Sequence, residues 1–456
     1  MEAYFLRSAR RGVVTVKKAG GARFWILVWL LGLAGQVCWN LENQWFNTFV
    51  YAKIAKNPSI ITGMLICSAA ATTFSTFFFG TWSDRTGNRR RFISLGYILW
   101  GVFTIAFGLT QFISPGLYVL AGAMVVLADT VMSFFGSMGN DCAYNAWIND
   151  SLTDRNRGQL GASLATQPVI GTILGTVVGG MLVGKNDDYL RLFVVMGALV
   201  ILFGLLSALW LGPGEDIAPS KRGTFAQQFA GVFRFRALFR RRELLLVHLA
   251  VAVFFIGFNS YFAYIGNYII YYLGYSADQM GIIEAVPLVI AMLASIPVAR
   301  LLNRDRHIPV AVCAALVNTA GLLVLWPIRP GSADTAALFS PRLFLGIFLV
   351  GAGYICFLQT GKIWAKQLYP ADARGQFEGV WIVFFVLIPM IGGSLLGEAG
   401  VRAGGETFVD AVSGQTQYIP NGNIFLIGAV FILLSVVPTL LAAKEFRRRI
   451  GKGEEQ

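Results

Sequence analysis

The sequence predicts an all-α membrane protein in which twelve transmembrane helices form two six-helix bundles. Its 456 residues are 56% hydrophobic and only 13% charged, with a mean hydropathy of +0.63, whereas ordinary soluble domains carry about 25% charged residues. Apolar stretches of roughly twenty residues recur along the whole chain, and each can cross a ~30 Å hydrocarbon core as a helix. A single long basic loop divides these stretches into two sets of six.

The apolar stretches predict the individual helices in chain order. Alternating ten-residue segments of the membrane-barrel type do not occur in the sequence, and a helix satisfies every backbone group within its own segment. The predicted spans are 24–50, 58–83, 92–112, 116–148, 159–184, 190–211, 243–273, 277–301, 308–328, 340–366, 376–399 and 423–443.

The positive charge is distributed unevenly between the two sides of the membrane that these spans define. Of the 37 lysines and arginines, 29 fall on the side that carries both termini and 7 fall on the other side, with Lys362 inside a span. This asymmetry predicts that both termini of a plasma membrane protein face the cytoplasm. Topology and lipid contact therefore account for the net charge of +13, and nucleic acid is not an expected partner.

The longest loop on the side of the termini separates two halves that share a short motif. The segment DRNRGQL, Asp154 to Leu160, ends the loop after span four, and DARGQF, Asp372 to Phe377, ends the loop after span ten. Because these loops lie six spans apart, the match favours duplication of a six-helix unit. The predicted segments are an N-terminal segment at 1–23, a bundle at 24–211, a linker at 212–242, a second bundle at 243–443 and a tail at 444–456.

A charged loop, GTWSDRTGNRRRF, joins spans two and three. Its first glycine allows close helix approach, its second permits a tight reversal, and its aspartate can pair with an arginine. The pattern resembles the signature loop of the major facilitator superfamily, whose fold consists of two six-helix bundles. The resemblance implies a conformational latch between the halves, formed by Gly80, Asp84, Arg85, Gly87, Arg89 and Arg90. For Arg90 and Arg91 the alternative is a role in topology alone.

A narrower resemblance is carried by the first span, by Asp141 and by three segments. AWINDSLTDRNRG, SDRTGNRRRFI and YPADARGQFEGVWIVFFVLIPMIGG are similar to the glycoside-pentoside-hexuronide cation symporters and their sucrose- and lysolipid-transporting relatives. The resemblance implies that Asp141 is a retained cation-site acid. Sodium-coupled members carry paired aspartates in span two and a lysine in span eleven, where this chain has Thr72, Thr76 and Ile391. These departures favour a proton over sodium as the coupling ion.

Span one carries four carboxamides that are candidates for substrate binding. They are spaced four, three and four residues apart, which places them on one face of a helix: Gln36, Asn40, Asn43 and Asn47. Carboxamides donate and accept hydrogen bonds in opposed pairs, as a hydroxyl-rich ligand requires. The alternative is a polar seam that bonds neighbouring helices. Glu42 lies off this stripe and is either a gate or an interfacial residue.

Span four carries the acid that we predict to couple transport to a cation. Asp141 shares a predicted helical face with three polar residues at four-residue spacing, namely Ser133, Ser137 and Asn145, and Asn140 lies beside it. A carboxyl group in a low-dielectric cavity can bind and release a proton as access alternates. The alternative is a structural ion pair with a loop arginine. Asp129 is placed near the outer entrance.

The second half supplies the remaining site candidates. They are Asn259, Tyr264 and Asn267 on span seven, Glu284 on span eight as a second coupling acid, and Gln359 and Lys362 on span ten. Spans one, four, seven and ten line the cavity in the superfamily that the charged loop resembles. Lys362 either binds an anionic group or balances Glu284 or Asp141. The tyrosines of span seven are alternatively an aromatic belt at the membrane interface.

Motifs for metals and enzymes are missing from the sequence. The five cysteines lie in apolar spans without CxxC spacing, and no phosphate loop, GxSxG or HExxH motif occurs. We therefore expect no cofactor, no metal and no enzymatic activity. The predicted function is cation-coupled transport of a small molecule by a protein embedded in membrane lipid. The predicted mode is symport of a sugar or glycoside with a proton. The alternatives are a lipid or lysolipid carrier and a non-transporting sensor or assembly module.

Overall fold

The computed structural model describes residues 21–151, 153, 156–212, 219, 223–230, 238–302, 304, 306–335, 337–338, 340–369, 379–411 and 414–451. The DARGQF motif, the start of DRNRGQL and most of the basic linker lie outside these residues. Predictions about those segments therefore stay predictions.

Twelve helices in the described residues are long and apolar enough to cross a membrane, which confirms the predicted number. Most of their bounds fall within a few residues of the predicted spans. The helices are α1 (Ala22–Ile54), α2 (Pro58–Thr86), α3 (Arg89–Phe112), α4 (Pro115–Asp150), α5 (Gln159–Asn186), α6 (Tyr189–Trp210), α7 (Arg242–Tyr272), α8 (Ala277–Val298), α9 (His307–Leu325), α10 (Pro341–Gln367), α11 (Gly379–Gly404) and α12 (Asn423–Arg448).

The helices pack as two bundles with the same internal arrangement. In the first bundle α1 packs against α5, α2 against α4, and α3 against both α4 and α6. In the second bundle α7 packs against α11, α8 against α10, and α9 against both α10 and α12. Each pair in the first bundle thus recurs six helices later, as duplication of a six-helix unit requires. The predicted fold of two six-helix bundles is confirmed.

Local sequence signals set the ends of α2 and the start of α3. The side chain of Asn57 accepts a hydrogen bond from the Ser59 amide at 3.1 Å, and Pro58 occupies the first helical position. At the other end, Gly87 adopts a left-handed φ of 71° and ends the helix. Asn88 then caps α3 by accepting from the Arg91 amide. The tight reversal predicted at Gly87 is therefore present.

Five π-helical segments interrupt the α-helical spans in the described residues, and the sequence analysis did not predict them. A π-helical turn inserts an extra residue, so positions four apart no longer share one face throughout a span. The segments are Leu41–Trp45 and Val50–Ile54 in α1, Ser137–Tyr144 in α4, Tyr268–Tyr272 in α7 and Val383–Leu387 in α11. Those in α1 and α4 contain Glu42 and Asp141, two of the intramembrane acids.

Two small elements outside the spans mark the two ends of the molecule. An antiparallel hairpin of β1 (Glu406–Val409) and β2 (Thr416–Ile419) connects α11 to α12. A short helix, Phe225–Ala230, lies in the linker between the bundles. We call the end of the molecule with the hairpin the hairpin end and the opposite end the linker end. The hairpin was not predicted.

Candidate functional site

The two bundles contact each other on one side of the molecule. At the hairpin end, the Ser59 hydroxyl of α2 donates to Glu398 of α11 at 2.5 Å, and the rings of Tyr51 and Tyr271 lie 5.9 Å apart between α1 and α7. Further hydrogen bonds between described residues of the two bundles lie between the middle of the molecule and the hairpin end. The molecule is therefore closed at the hairpin end.

Glycines permit this closure where helices of opposite bundles cross. A Cβ atom added to Gly180 of α5 would lie 2.8 Å from the carbonyl oxygen of Ala277 in α8. A Cβ atom at Gly281 of α8 would lie 2.7 Å from the carbonyl oxygen of Thr176. Such distances to backbone atoms leave no room for a side chain. The backbones of α5 and α8 therefore approach each other directly in the closed end.

A chain of polar side chains crosses from the first bundle to the second at mid-membrane. Asn40 of α1 donates to Gln44 at 3.2 Å and to Thr176 of α5 at 3.1 Å. Gln44 in turn donates to Glu284 of α8, whose second carboxylate oxygen has no hydrogen-bond partner in the described structure. The sequence analysis predicted Asn40 and Glu284 but missed Gln44 and Thr176. Gln44 lies off the predicted carboxamide stripe, and the π-helical turn at Leu41–Trp45 explains the altered face.

Asp141 is solvent-accessible although it lies within a membrane-spanning helix, in the half of α4 toward the linker end. Its carboxylate accepts hydrogen bonds from Ser137 at 2.9 Å and from Asn140 at 3.2 Å. The Tyr97 hydroxyl of α3 lies 2.9 Å from the Asn140 carboxamide oxygen and 2.7 Å from the Leu31 carbonyl oxygen of α1, and it can donate to one of them. Asn145, one turn further along α4, is also exposed. The contacts from Ser137 and Asn140 therefore hold an accessible carboxylate in one orientation.

A second acidic group lies between α1 and α4, nearer the hairpin end. Ser133 contacts the Glu42 carboxylate at 2.8 Å, and Asp129 is buried with 1% of its surface exposed. Glu42 is half-buried and lies within electrostatic range of Asp129 and Asp141. Both acids received minor roles in the sequence-based prediction, Glu42 because it lies off the carboxamide stripe and Asp129 because it was placed near the outer entrance.

The carboxamides of α1 do not all face the cavity. Gln36 is half-buried beside Gly171 of α5. Asn43 and Asn47 are buried, and each donates to a carbonyl oxygen of its own helix, at 2.8 Å and 2.7 Å. Asn47 also accepts, through its carbonyl oxygen, from Asn267 of α7 at 3.2 Å. The side chains of Asn43 and Asn47 thus bond within α1, and only the backbone of Asn47 contacts a neighbouring helix.

The candidates of the second bundle are divided between the closed end and the accessible interior. The Tyr264 hydroxyl donates to the Pro58 carbonyl oxygen at 3.3 Å within the closed end, so this ring is buried rather than part of a lipid-facing belt. Asn259 is 9% exposed and donates to Phe255 of its own helix. Gln359 is half-buried and Lys362 is exposed. The predicted balance of Lys362 against Glu284 or Asp141 stays a prediction.

Aromatic side chains form a continuous group across α1, α7, α10 and α11. Trp39 of α1 is 40% exposed and stacks on Phe262 of α7 with ring centroids 6.1 Å apart. Phe262 stacks on Phe258, which stacks on Tyr354 of α10 at 4.6 Å. Phe255 continues the group to Phe385 of α11 at 4.6 Å. The spacing of aromatic residues along span seven, three and four apart, was the available signal, and the sequence analysis did not use it.

The predicted latch is an ion-pair cluster centred on Arg89. This arginine is 4% exposed, and it pairs with Asp84 at 2.6 Å and with Asp150 of α4 at 3.0 Å. It also donates to the Ser83 hydroxyl at 2.7 Å. Asp150 lies in the AWINDSLTDRNRG segment but was not predicted to belong to the latch. We call Asp84, Arg89 and Asp150 the latch cluster, and all three belong to the first bundle.

The other residues of the charged loop have separate positions. Arg85 donates to the Gly223 carbonyl oxygen at 2.9 Å and to Gln228 at 3.1 Å, and so contacts the linker. Gly80 faces the Cys142 sulfur of α4, 3.9 Å from the position of an added Cβ atom. Arg90 is half-buried. In this closed-hairpin conformation the loop therefore binds the first bundle and the linker.

Two six-helix bundles with the same internal packing, joined toward one end, are the architecture of a membrane transporter. The family model described as Major Facilitator Superfamily matches residues 24–328 and 249–456, and the chain belongs to this family. It is a multi-pass membrane protein of the family, consistent with the signature loop between α2 and α3. No curated protein matches the sequence significantly.

Solved transporter structures resemble the whole chain in fold. An alanine mutant of the nucleoside transporter NupG superposes with a TM-score of 0.69 at 14% identity, covering 91% of this chain and 99% of that one. A D-xylose–proton symporter gives a TM-score of 0.60 at 16% identity, with 91% and 97% coverage. The inward-open xylose transporter XylE from E. coli gives 0.60 at 14% identity, with 92% and 96% coverage. At such identities the likeness establishes the fold alone.

Proposed function

We propose that this protein is a proton-coupled symporter of a sugar or glycoside that works by alternating access. The observation that carries this proposal is the one-sided closure of the bundles. Hydrogen bonds and glycine contacts join the two bundles toward the hairpin end. Asp141 and Asn145, in the half of α4 toward the linker end, are solvent-accessible. A rocking motion of two rigid bundles about this cavity would expose it to each side in turn.

The direction of the opening follows from the distribution of positive charge. The side that carries the termini and the linker holds 29 of the 37 lysines and arginines, so we assign the linker end to the cytoplasm of the plasma membrane. With this assignment the structure is open to the cytoplasm and closed to the outside. The latch cluster then lies on the cytoplasmic face, where it would stabilise one conformation of the bundles and release them in the other.

The accessible polar residues suit a ligand with several hydroxyl groups. Asp141 and Asn145 of α4 and Gln359 of α10 offer carboxylate and carboxamide groups that accept or donate hydrogen bonds. Trp39 adds an exposed aromatic face, against which the apolar face of a sugar ring can pack. We assign these residues and Gln36 to the substrate site, with Lys362 at its cytoplasmic side. The carboxyl groups of Asp141 and Glu284 are the proposed coupling groups.

The similar structures support the proposal without determining the substrate. NupG is a nucleoside transporter, and another of these structures is a D-xylose–proton symporter. Both named substrates carry several hydroxyl groups, as the accessible polar residues here would require. The segments that resemble the glycoside-pentoside-hexuronide symporters support the same substrate class. The same resemblance implies that Asp141 is a cation-site acid of those symporters that this chain retains.

A ligand screen on the purified protein tests the proposal. We expect sugars or glycosides to raise the unfolding temperature, because a ligand that binds only the folded protein stabilises it by mass action. The matched control is Asn145→Ala together with Trp39→Ala, which removes a carboxamide and the ring and should abolish the shift. Stabilisation by lysolipids alone would identify a lipid carrier. If ligands stabilise the protein but none of them is taken up into proteoliposomes, the protein is a sensor or assembly module instead.

A further inference from the structure

We propose that Glu42 and Asp129 form a proton-binding site in the first bundle, separate from Asp141, in which Glu42 exchanges its proton with the cavity. The inference deepens the proposed function by naming a further proton-carrying group, and it rests on that function only for its role in transport. The presence of the protons follows from hydrogen-bond geometry and burial.

The first observation is an oxygen atom without a donor. Asp129 of α4 is 1% exposed, and its Oδ1 atom is buried with no hydrogen-bond partner in the described structure. An ionised carboxylate with an unpaired oxygen inside a membrane-spanning helix is strongly disfavoured. A neutral carboxyl group removes most of this cost, because it places no net charge in the low-dielectric interior. The burial of Asp129 is thus explained if it carries a proton.

The second observation concerns the hydroxyl group of Ser133. Its oxygen lies 2.8 Å from the Glu42 carboxylate and also 2.8 Å from the carbonyl oxygen of Asp129. A hydroxyl has one hydrogen and can donate only one of these two bonds. If Glu42 is protonated, it donates to the Ser133 oxygen while Ser133 donates to the carbonyl, and both contacts become hydrogen bonds. The geometry therefore fits a protonated Glu42.

None of the groups that the described structure places against Glu42 carries a positive charge. The titratable groups that face it are Cys38 of its own helix and Asp129 and Asp141 of α4, while α2 contributes the Ser68 hydroxyl. Ser68 also contacts the Leu65 carbonyl oxygen at 3.4 Å, so its single hydrogen is contested as well. Ion pairs elsewhere in the described structure neutralise other acids, among them Asp84, Asp150 and Glu398. Protons are then the cations that neutralise this cluster.

Accessibility separates the roles of the two acids. Glu42 is half-buried, whereas Asp129 is sealed at 1% exposure. A proton on Glu42 can therefore leave to the cavity that also exposes Asp141. Asp129 keeps its proton and allows Glu42 to ionise without a second negative charge beside it. Glu42 is the exchanging group and Asp129 is its neutral support.

Infrared spectroscopy of the purified full-length protein tests the protonation states without any substrate. A protonated carboxyl has a C=O stretch that is separate from the carboxylate bands and shifts in deuterated buffer. We expect the neutral-pH spectrum to lose the intensity of one carboxyl in Glu42→Gln and of one in Asp129→Asn. The matched control is Glu398→Gln, which removes an acid paired with Arg402 at 2.8 Å and should leave the band unchanged. On raising the pH, the Glu42 component should disappear first.

The second variant, Ser133→Ala, keeps both acids and removes the shared hydroxyl. We expect the band to keep its intensity and to shift to the frequency of a more weakly hydrogen-bonded carboxyl. A band of unchanged area in both Glu42→Gln and Asp129→Asn would overturn the proposal. Loss of the band in Asp141→Asn alone would also overturn it, because the proton would then reside on Asp141.

Transport assays then separate this inference from the proposed function. In proteoliposomes, Glu42→Gln should exchange substrate down its gradient but lose accumulation driven by a pH gradient. If no tested ligand is transported by the unmodified protein, the proposed function fails while the infrared result still decides the protonation of Glu42 and Asp129. Gradient-driven accumulation by Glu42→Gln would remove Glu42 from the coupling step.

Discussion

Asp141 combines two properties that are seldom found together inside a membrane protein, since its carboxylate is accessible and is also held in a fixed orientation. Ser137 and Asn140 donate hydrogen bonds to this carboxylate, and the Tyr97 hydroxyl of the neighbouring helix α3 contacts the Asn140 carboxamide oxygen. The sequence pointed to Asp141 because acids within spans are costly and therefore rare. It could not point to Tyr97, whose role depends on how α3 packs against α4.

Replacing Asp141 by asparagine separates binding from coupling. Asparagine imitates the protonated carboxyl in size and keeps the hydrogen bond from Ser137, so substrate should still exchange across the membrane. Accumulation driven by a pH gradient should be lost, because the side chain no longer carries a proton. Counterflow and gradient-driven uptake measured side by side in proteoliposomes check this. Undiminished accumulation would exclude Asp141 from coupling, whereas loss of stability together with binding would indicate a structural role.

The latch cluster predicts unequal effects for its members. Arg89 is 4% exposed, and its replacement by leucine removes the partner of two carboxylates, so we expect about 3 kcal/mol of lost stability. Asp84, with its side chain 48% exposed, is screened by solvent, and Asp84→Asn should cost under about 1 kcal/mol. Thermal unfolding in detergent measures both. Equal losses for the two variants would show that burial of Arg89 does not determine the energetics of the cluster.

The latch interpretation itself concerns rates. Asp84→Asn should slow transport while the affinity of the resting protein for substrate stays largely intact, because the charged loop lies half a membrane away from Asp141. Exchange rates and binding isotherms of the same preparation measure the two quantities. Unchanged transport with weakened binding would contradict a role in the conformational change. Thr86→Ala, at an exposed position of the same loop, is the matched control.

At the scale of the helices, predictions from the sequence agree with the structure where local rules apply. They fail where the structure depends on contacts between helices. Apolar length predicted all twelve spans, and Gly87 predicted the reversal between α2 and α3. The π-helical turns of α1 and α4 were not predictable, because an inserted residue leaves no mark on hydrophobic periodicity. They move Gln44 toward Glu284 and leave Asn43 bonded to its own helix. Uniform α-helical spacing therefore identified the helices that carry the polar residues, but it predicted only in part which of those residues share a face.

The crossing of α5 and α8 predicts how a bulky side chain would act. Gly180→Leu should prevent closure of the hairpin end, because even a Cβ atom would lie 2.8 Å from the Ala277 carbonyl oxygen. We expect the population to shift toward the conformation that is open at the hairpin end. Spin labels in a cysteine-free background, at Lys185 and Glu406, report the distance across that end. Gly161→Leu is the matched control, since nothing lies within 4 Å of its Cβ position.

At the scale of the whole molecule, closure depends on both bundles and on a hairpin that the sequence did not reveal. The repeated packing of α1–α5 and α7–α11 follows from duplication, which a motif match between the halves had suggested. Which end is closed is a property of the contacts between bundles, and hydropathy carries no information about it. The hairpin contributes directly: the Tyr418 amide donates to the Lys56 carbonyl oxygen at 2.8 Å, across the two bundles.

The contacts around Arg402 predict how easily the hairpin end opens. Arg402 of α11 pairs with Glu398 at 2.8 Å, donates to the Ser59 hydroxyl of α2 at 2.6 Å and lies 5.0 Å over the Tyr418 ring. Its side chain is 40% exposed, so the net contribution is small, about 1 kcal/mol for such a pair. Arg402→Ala should therefore raise the population open at the hairpin end roughly fivefold, since 1.4 kcal/mol corresponds to a factor of ten.

The same variant tests whether the two ends are linked through rigid bundles. Spin labels at Thr86 and Lys366 report the linker end, and those at Lys185 and Glu406 report the hairpin end. In Arg402→Ala the linker-end distance should shorten in the same fraction of molecules in which the hairpin-end distance lengthens. Arg342→Ala, which breaks an exposed pair with Asp334 within the second bundle, should change neither distribution. If the hairpin end opens while the linker-end distance stays fixed, the bundles do not rock as units and the alternating-access proposal fails.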